Sequence, residues 1–226
     1  MLDSVFMTVS TPPNTPPAGL LAQLPPDLRA LAAHGMQRSY RKQAILITEG
    51  ERGETLFVLL QGSVKVFATD ENGREITYGT IHAGDYFGEM SLDGGPRSAS
   101  VMTLEPCICA VLSGADVRDH LKSHPEFAYT LIVQIIRRAR AATETARGMA
   151  LLDVYGRVVS LLEHQQGAAT PEAPVLLQPI THLEIATRVG ASREMVSRLL
   201  KDLEKGGYIE QGIRRIVLLK KLPPRW

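Results

Sequence analysis

Four residues in one short segment have the chemistry to hold a small anion. They lie in Phe87-Gly88-Glu89-Met90-Ser91-Leu92-Asp93-Gly94-Gly95-Pro96-Arg97-Ser98-Ala99. Gly88 leaves the backbone N–H groups after it accessible, and the Glu89 carboxylate can accept from a sugar hydroxyl. Arg97 can grip a phosphate through its fork of donors, with Ser98 adding a hydroxyl and its own N–H. The candidate ligand contacts of this cassette are Gly88, Glu89, Met90, Ser91, Arg97, Ser98 and Ala99. A structural alternative stands beside this reading, in which Glu89 and Arg97 only pair with each other across the loop. Enzyme chemistry is not expected. Glu89 and His82 lack a nucleophile or metal partner at useful spacing, and Asp93-Gly94-Gly95 lacks the lysine of a phosphate-transfer loop.

A second group of residues could read nucleic acid. Thr181 to Leu200 has the pattern of a helix-turn-helix: Thr181 caps a first helix whose Ile185, Ala186 and Val189 face inward, and Gly190 ends it. Ser192 caps a second helix that packs through Val196, Leu199, Leu200 and Leu203. The outer face is left to Arg193, Glu194, Ser197, Arg198 and Lys201; with the two capping residues, Thr181 and Ser192, these are the candidate DNA contacts. Arginine can pair bidentately with guanine in a major groove, and glutamate can accept from cytosine. The alternative is an ordinary charged helix with pairs such as Glu194–Arg198. Gly206 to Ile209 and Ile213 to Leu218 supply strands for a wing.

Charge supports the nucleic-acid reading. From Ile180 to Trp226 there are ten Lys/Arg and five Asp/Glu, a net of +5 in a chain of net +1, so the remainder carries −4. A basic module behind an acidic body suits a phosphate-bearing partner.

Three kinds of element must position these residues. Residues 1–19 hold Thr-Pro-Pro-Asn-Thr-Pro-Pro and are expected to form a flexible tail. Residues 20–123 open with a short helical stretch from Leu20 to Gly35, interrupted by Pro25-Pro26, where its main turn is expected to start. Strand-like runs follow at Ala44–Thr48, Thr55–Leu60, Ser63–Thr69, Glu75–Ile81, Ser98–Leu104 and Cys107–Leu112, with Asn72-Gly73 the clearest hairpin turn. Short strands without intervening helices predict an antiparallel jelly-roll barrel, in an α+β chain. Ser113 then caps a short helix, and Pro125–Leu152 reads as one long helix of about 40 Å. Taken in threes and fours, Leu131, Ile135, Arg138, Ala142, Thr145, Met149 and Leu152 make a coiled-coil seam with a polar centre, which predicts a dimer helix over 124–152; the alternative is a buried core helix that tolerates small residues. Residues 153–226 continue through a helix to His164 and a polar connector, Gln165 to Pro174, into the basic module.

Length and composition bound the rest. The chain has 226 residues, of which 44% are hydrophobic, enough for two cored domains. Cys107 and Cys109 are expected to be buried, unbridged small hydrophobes, which suits a reducing compartment. No run approaches a membrane span, so a cytoplasmic protein with no membrane partner is expected.

In this order the β-rich domain, the Gly88-Glu89…Arg97-Ser98 cassette and the terminal module resemble the cyclic-AMP receptor protein/FNR (Crp/Fnr) family of bacterial transcription factors. The resemblance covers almost everything after residue 20. It implies a cyclic-nucleotide-binding barrel, with Gly88 and Glu89 on the ribose and Arg97 and Ser98 on the cyclic phosphate. It also implies that the ligand lies between barrel and dimer helix. The family's Thr-Ser purine contacts fall on Ala142 and Thr143, so one hydroxyl is kept and one lost. A lost hydrogen bond of about 0.5–1.5 kcal/mol weakens adenine selection without abolishing binding. Arg193, Glu194 and Arg198 fall on the family's base-reading positions, for palindromes with TGTGA-like half-sites. The expected function is a homodimeric, ligand-gated, winged helix-turn-helix regulator of double-stranded DNA, with RNA polymerase as a partner and cyclic AMP or a related nucleotide as effector. Gating by cyclic di-GMP or another effector, and a ligand-independent regulator, are the alternatives. No metal, haem or iron–sulfur cluster is expected: the cysteine cluster of the FNR branch is missing, and His34 and His82 stand alone.

Overall fold

The computed structural model describes residue 16 and residues 18–164, 174–177 and 179–223. Most of the Pro-rich tail and all but the last residue of the Gln165–Pro174 connector therefore lie outside the described residues. Two short helices come first, Ala18–Leu21 (α1) and Pro26–Ala32 (α2). Pro25 is extended and Pro26 takes the first helical turn, where a missing N–H costs nothing. The interruption expected at Pro25-Pro26 falls between the two helices, α2 starting at Pro26, and α1 begins inside the stretch expected as tail.

Eight strands follow: Met36–Tyr40 (β1), Ile45–Ile47 (β2), Leu56–Gln61 (β3), Ser63–Thr69 (β4), Glu75–His82 (β5), Tyr86–Phe87 (β6), Ser100–Thr103 (β7) and Cys107–Leu112 (β8). They form two sheets, ordered β1-β8-β3-β6 and β2-β7-β4-β5. This interleaving is the jelly-roll order. Strands β1 and β6 have no alternating pattern of their own. β1, with Gln37, Arg38 and Ser39, is an edge strand fixed by pairing from Met36↔Val111 to Tyr40↔Cys107. β6 is two residues long and registers Phe87 on Phe57, with the rings stacked 5.0 Å apart.

β3 explains why the core has two layers. Its residues Leu56 to Leu60 are all buried. Leu56, Val58 and Leu60 join a cluster with Leu28, Leu31 and Phe127, whereas Phe57 and Leu59 join Val64, Phe87 and Val101 in another. The period of two is intact, but both faces are covered, so the strand reads as a continuous apolar run. Cys107 and Cys109 are unbridged and buried in the second cluster. Burial, with the neighbouring Cys107, pushes the Cys109 thiol up to about 12, which leaves it inert.

Helix Gly114–Ser123 (α3) starts with a reciprocal cap, Asp116 N–H donating to Ser113 Oγ at 3.2 Å and Ser113 N–H to Asp116 Oδ2 at 3.0 Å. The long helix, Pro125–Leu151 (α4), has 27 residues. Its first turns bury Phe127 and Leu131 in the barrel's helix-side cluster. The chain accordingly divides within α4, into one compact unit of residues up to Val66 with Thr80–Ile132 and another of Phe67–Gly79 with Val133–Trp226. Leu131, expected on the dimer seam, is a core residue of its own barrel. Of the other expected seam positions, Ile135, Ala142, Thr145 and Leu152 are exposed, and Arg138 and Met149 are half-buried. The exposed apolar residues in the first half of the helix are Tyr129, Ile132, Ile135 and Ile136. They are followed at spacings of three and four by the exposed small residues Ala139, Ala142, Thr143 and Ala146.

The C-terminal elements are Val154–His164 (α5), Val175–Leu176 (β9), His182–Val189 (α6), Arg193–Lys205 (α7), Ile209–Gly212 (β10) and Arg215–Leu218 (β11). The strands form a sheet ordered β10-β11-β9, and Val158, Leu162, Ile185, Val196, Leu200 and Ile216 lie in its core with the helices. Arg157 of α5 ties two helix ends together, Nε donating to Val189 O and Nη1 to Leu152 O, each at 2.8 Å. The wing's second strand does not begin at Ile213. Ile213 and Arg214 form the turn, Arg214 with φ 52° and Ile213 99% exposed. Among the described residues no helix is long and apolar enough to cross a membrane.

Candidate ligand cradle and nucleic-acid interface

The cradle is built where β6 ends. Gly88 has φ +92°, and a Cβ there would sit 2.6 Å from the Thr55 carbonyl oxygen and 3.0 Å from Arg97 Nη1. Only glycine lets the backbone pass this close. A 3-10 turn over Glu89–Ser91 follows, with Glu89 and Ser91 buried.

Arg97 is 8% exposed and held from several sides. Nη1 donates to Gly88 O at 2.9 Å and to Ser91 Oγ at 2.6 Å, and Nη2 donates to Thr55 O at 3.0 Å. Its backbone is pinned too, with Arg97 N–H donating to Glu51 O at 2.8 Å and Gly50 N–H to Arg97 O at 2.9 Å. Burial pulls its pKa down, and the carboxylates of Glu89 and Glu51 act against that. The group stays a cation. All three side-chain bonds go to neutral acceptors, and the Glu89 and Glu51 carboxylates act on the charge electrostatically. A guanidinium has five N–H donors, and among the described residues three bonds are made, which leaves capacity for an incoming anion.

The expected contacts separate by role. Gly88, Glu89, Ser91 and Arg97 come together. Ser91, however, turns inward: its hydroxyl donates to Gly53 O at 2.7 Å and accepts from Arg97, so it holds the guanidinium in place. Ser98 and Met90 are exposed and touch each other, Ser98 Oγ to Met90 Sδ at 3.4 Å. Ala99 is buried beneath. Thr143 lies on α4 in the other compact unit, its hydroxyl donating to Ala139 O at 3.0 Å. Gly53, Thr55 and Glu51 escaped notice in the sequence because they act through backbone carbonyls or closeness alone.

The helix-turn-helix is organised by its caps. Glu184 N–H donates to Thr181 Oγ1 at 3.1 Å, and Thr181 N–H to Glu184 Oε2 at 2.6 Å. Gly190 takes the left-handed conformation, φ 62° and ψ 48°, that turns α6 into α7. Ser192 Oγ accepts from Met195 N–H at 3.2 Å. Thr181 and Ser192, expected as DNA contacts, thus use their oxygens as caps. Arg193, Glu194, Arg198 and Lys201 are exposed along α7, and Ser197 is half-buried between them. Beside α7 runs a crevice of about 360 Å³ lined by Thr181, His182, Arg193, Arg214 and Arg215. The wing arginines extend the basic surface, and their position beside Arg193 depends on a turn the sequence did not reveal. Among the described residues no group of three or more His, Cys, Asp or Glu side chains could hold a metal ion.

Known proteins share both halves. Residues 37–124 match the cyclic nucleotide-binding domain family, and residues 156–222 the Crp-like helix-turn-helix domain family. The chain is 39% identical over 189 residues to the cAMP-activated global transcriptional regulator Vfr of Pseudomonas aeruginosa, covering 80% of this chain and 88% of Vfr. It is 34% identical over 200 residues to the cAMP-activated global transcriptional regulator CRP of Escherichia coli, covering 87% and 95%. Among solved structures, the c-di-GMP responsive global regulator CLP of Xanthomonas campestris superposes with a TM-score of 0.73 at 28% identity, over 85% of this chain and 97% of that one. These relatives are regulators, not enzymes. With a jelly roll carrying the arginine cradle, a capped helix-turn-helix and this degree of identity over most of its length, the chain belongs to the Crp/Fnr family of DNA-binding transcription regulators.

Proposed function

We propose that the chain is a homodimeric regulator of palindromic DNA gated by a cyclic nucleotide, with cyclic AMP the favoured effector. The observation that carries the reading is Arg97, a buried cation fixed on two carbonyls and a hydroxyl, inside the domain that matches the cyclic nucleotide-binding family. A cyclic phosphate supplies the anion, and Glu89 beside it accepts from the ribose. The cyclic-AMP-activated relatives Vfr and CRP favour adenine. By resemblance, Thr143 is the remaining purine contact. The exposed stripe from Tyr129 to Ala146 is the proposed dimer face, where small side chains let two helices approach closely. RNA polymerase is the proposed partner of the DNA-bound form.

A second reading replaces the effector with cyclic di-GMP. Its support is the likeness to CLP, described as responsive to that ligand, together with Ala142, which removes one hydroxyl of the family's purine pair. Calorimetric titration of the purified protein with cyclic AMP, cyclic GMP and cyclic di-GMP separates the two. Saturable heat with cyclic AMP alone, lost in Arg97→Ala, is the expected result. Heat with none of the three returns the ligand-independent regulator.

A further inference from the structure

His182, on the first turn of α6, stands between two other elements. Its Nδ1 is 2.9 Å from Ser197 Oγ on α7, and its Nε2 is 3.0 Å from Gln211 Oε1 on β10. The orientation of Gln211 is fixed in turn by Glu204 near the end of α7. Gln211 N–H donates to Glu204 Oε1 at 2.9 Å and Gln211 Nε2 to Glu204 Oε2 at 3.2 Å. A carboxylate only accepts, so the amide's NH₂ must face Glu204 and its carbonyl oxygen must face the ring. That oxygen also only accepts, so His182 Nε2 carries a hydrogen. A neutral imidazole then has Nδ1 as an acceptor, and Ser197 donates its one hydroxyl hydrogen to it. With that hydrogen committed inward, Ser197 presents only lone pairs outward.

We propose that His182 sets the hydrogen-bonding polarity of Ser197 on the recognition helix. With the ring neutral, Ser197 offers the DNA groove an acceptor. With the ring protonated, Nδ1–H donates to Ser197 Oγ, and the hydroxyl hydrogen turns outward as a donor. One solvent proton is taken up at Nδ1, and the Gln211–Glu204 half of the chain of bonds is unchanged. An exposed acceptor suits the exocyclic amine of adenine or cytosine; an exposed donor suits guanine N7 and O6 or thymine O4. The charged groups around the ring are Arg193 of α7 and Arg214 and Arg215 of the wing, which line its crevice. Glu204 acts through Gln211, and Glu184 on the ring's own helix is engaged in the cap with Thr181. His182 is a positioning residue here, and the proposal rests on reading Ser197 as groove-facing.

The test uses the full-length protein with cyclic AMP, cyclic GMP and cyclic di-GMP supplied together. Duplexes are selected from a random pool, each base pair of the selected half-site is varied singly, and affinities are measured at about pH 8 and about pH 5.5. The wild type should move its preference at one base pair from an amine-bearing to an acceptor-edged base, by about tenfold in affinity ratio. His182→Gln should keep the high-pH preference at both values, because a carboxamide accepts from Ser197 and donates to Gln211 without titrating. Nitrogen-15 NMR of the wild type should show the Nε2–H tautomer at the higher pH. The Nδ1–H tautomer, or a His182→Gln variant that shifts with pH as the wild type does, overturns the relay. If Ser197→Ala keeps every wild-type preference, the groove-facing reading is wrong and the relay falls with it. If Ser197→Ala loses the preference but the wild type shows no pH shift, the groove-facing reading stands and the relay alone falls.

Discussion

At the scale of single residues, the cradle depends on a charge that the fold orients and leaves available. Removing it should abolish the grip on phosphate without emptying a hydrophobic core. Arg97→Ala is expected to cost about 1.5–3 kcal/mol or more of cyclic-nucleotide affinity, the range for a charge-assisted bond, read by calorimetry. Far-ultraviolet circular dichroism should show the strands intact. Unchanged affinity in that variant would place the ligand elsewhere. Arg214 raises a different residue-scale question, because a non-glycine at φ 52° is strained. Arg214→Gly is expected to stabilise the protein by up to about 1 kcal/mol while lowering the slope of log DNA affinity against log salt by about one unit. Thermal unfolding checks the first part and a salt series on a duplex the second. A variant that is both less stable and unchanged in salt slope would contradict both the strain and the phosphate contact.

At the scale of elements, the junction between α3 and α4 carries a buried imidazole. His120 stacks on His124 with ring centroids 4.1 Å apart and meets Phe127 edge-on at 5.3 Å. Its Nε2 is buried without a hydrogen-bond partner among the described residues. Burial first, then the charges of His124 and His34, hold its pKa below the ordinary 6.5. The unfolded chain therefore takes up a proton at a pH where the folded chain resists it. Stability is complete above the unfolded value and falls as pH drops through about 6.5. Differential scanning calorimetry should show a midpoint that declines from about pH 7.5 to about pH 5.5, and a shallower decline in His120→Met. An equal decline in both would assign the acid sensitivity to other groups. The recognition helix shows a second feature of elements. Its packed side, Val196, Leu200 and Leu203, repeats at helical spacing, and this leaves Arg198 exposed. Arg198→Ala should weaken specific binding by about 1–3 kcal/mol and relax one base pair per half-site, measured on cognate and scrambled duplexes. Equal loss on both would make Arg198 a backbone contact.

At the scale of the whole molecule, the proposed dimer rests on the side of α4 that remains exposed. Leu131 lies in the barrel's core, and the stripe proposed to meet a second copy includes the exposed Tyr129, Ile132, Ile135 and Ile136. Ile132→Glu with Ile136→Glu places two charges at the apolar end of that stripe. The double variant is expected to sediment as a monomer at micromolar concentration and to lose binding to a palindrome, while retaining cyclic-nucleotide heat. A dimer that survives would move the interface off this helix.

Periodicity and turn chemistry were enough to define much of the protein in advance. β4 and β8 run over the residues their patterns predict, α4 ends within one residue, and the caps at Ser113, Thr181 and Ser192 are made by the side chains the sequence offers. Each of these rests on neighbours in the chain, whose spacing is visible in one dimension. The Gly88…Arg97 cassette was legible for the same reason: its residue types are rare in combination and lie in one segment. Long-range partners were not visible. β1 exists because β8 lies beside it, and Ser91 holds Arg97 instead of facing outward because Gly53 O accepts from its hydroxyl. Leu131 lies in the barrel's helix-side core, a burial its heptad spacing did not show. His182 carried no signal at all, since its two partners lie 15 and 29 residues away. A hydrogen bond between distant segments depends on where the packed core places them, and that is decided only when the chain has folded.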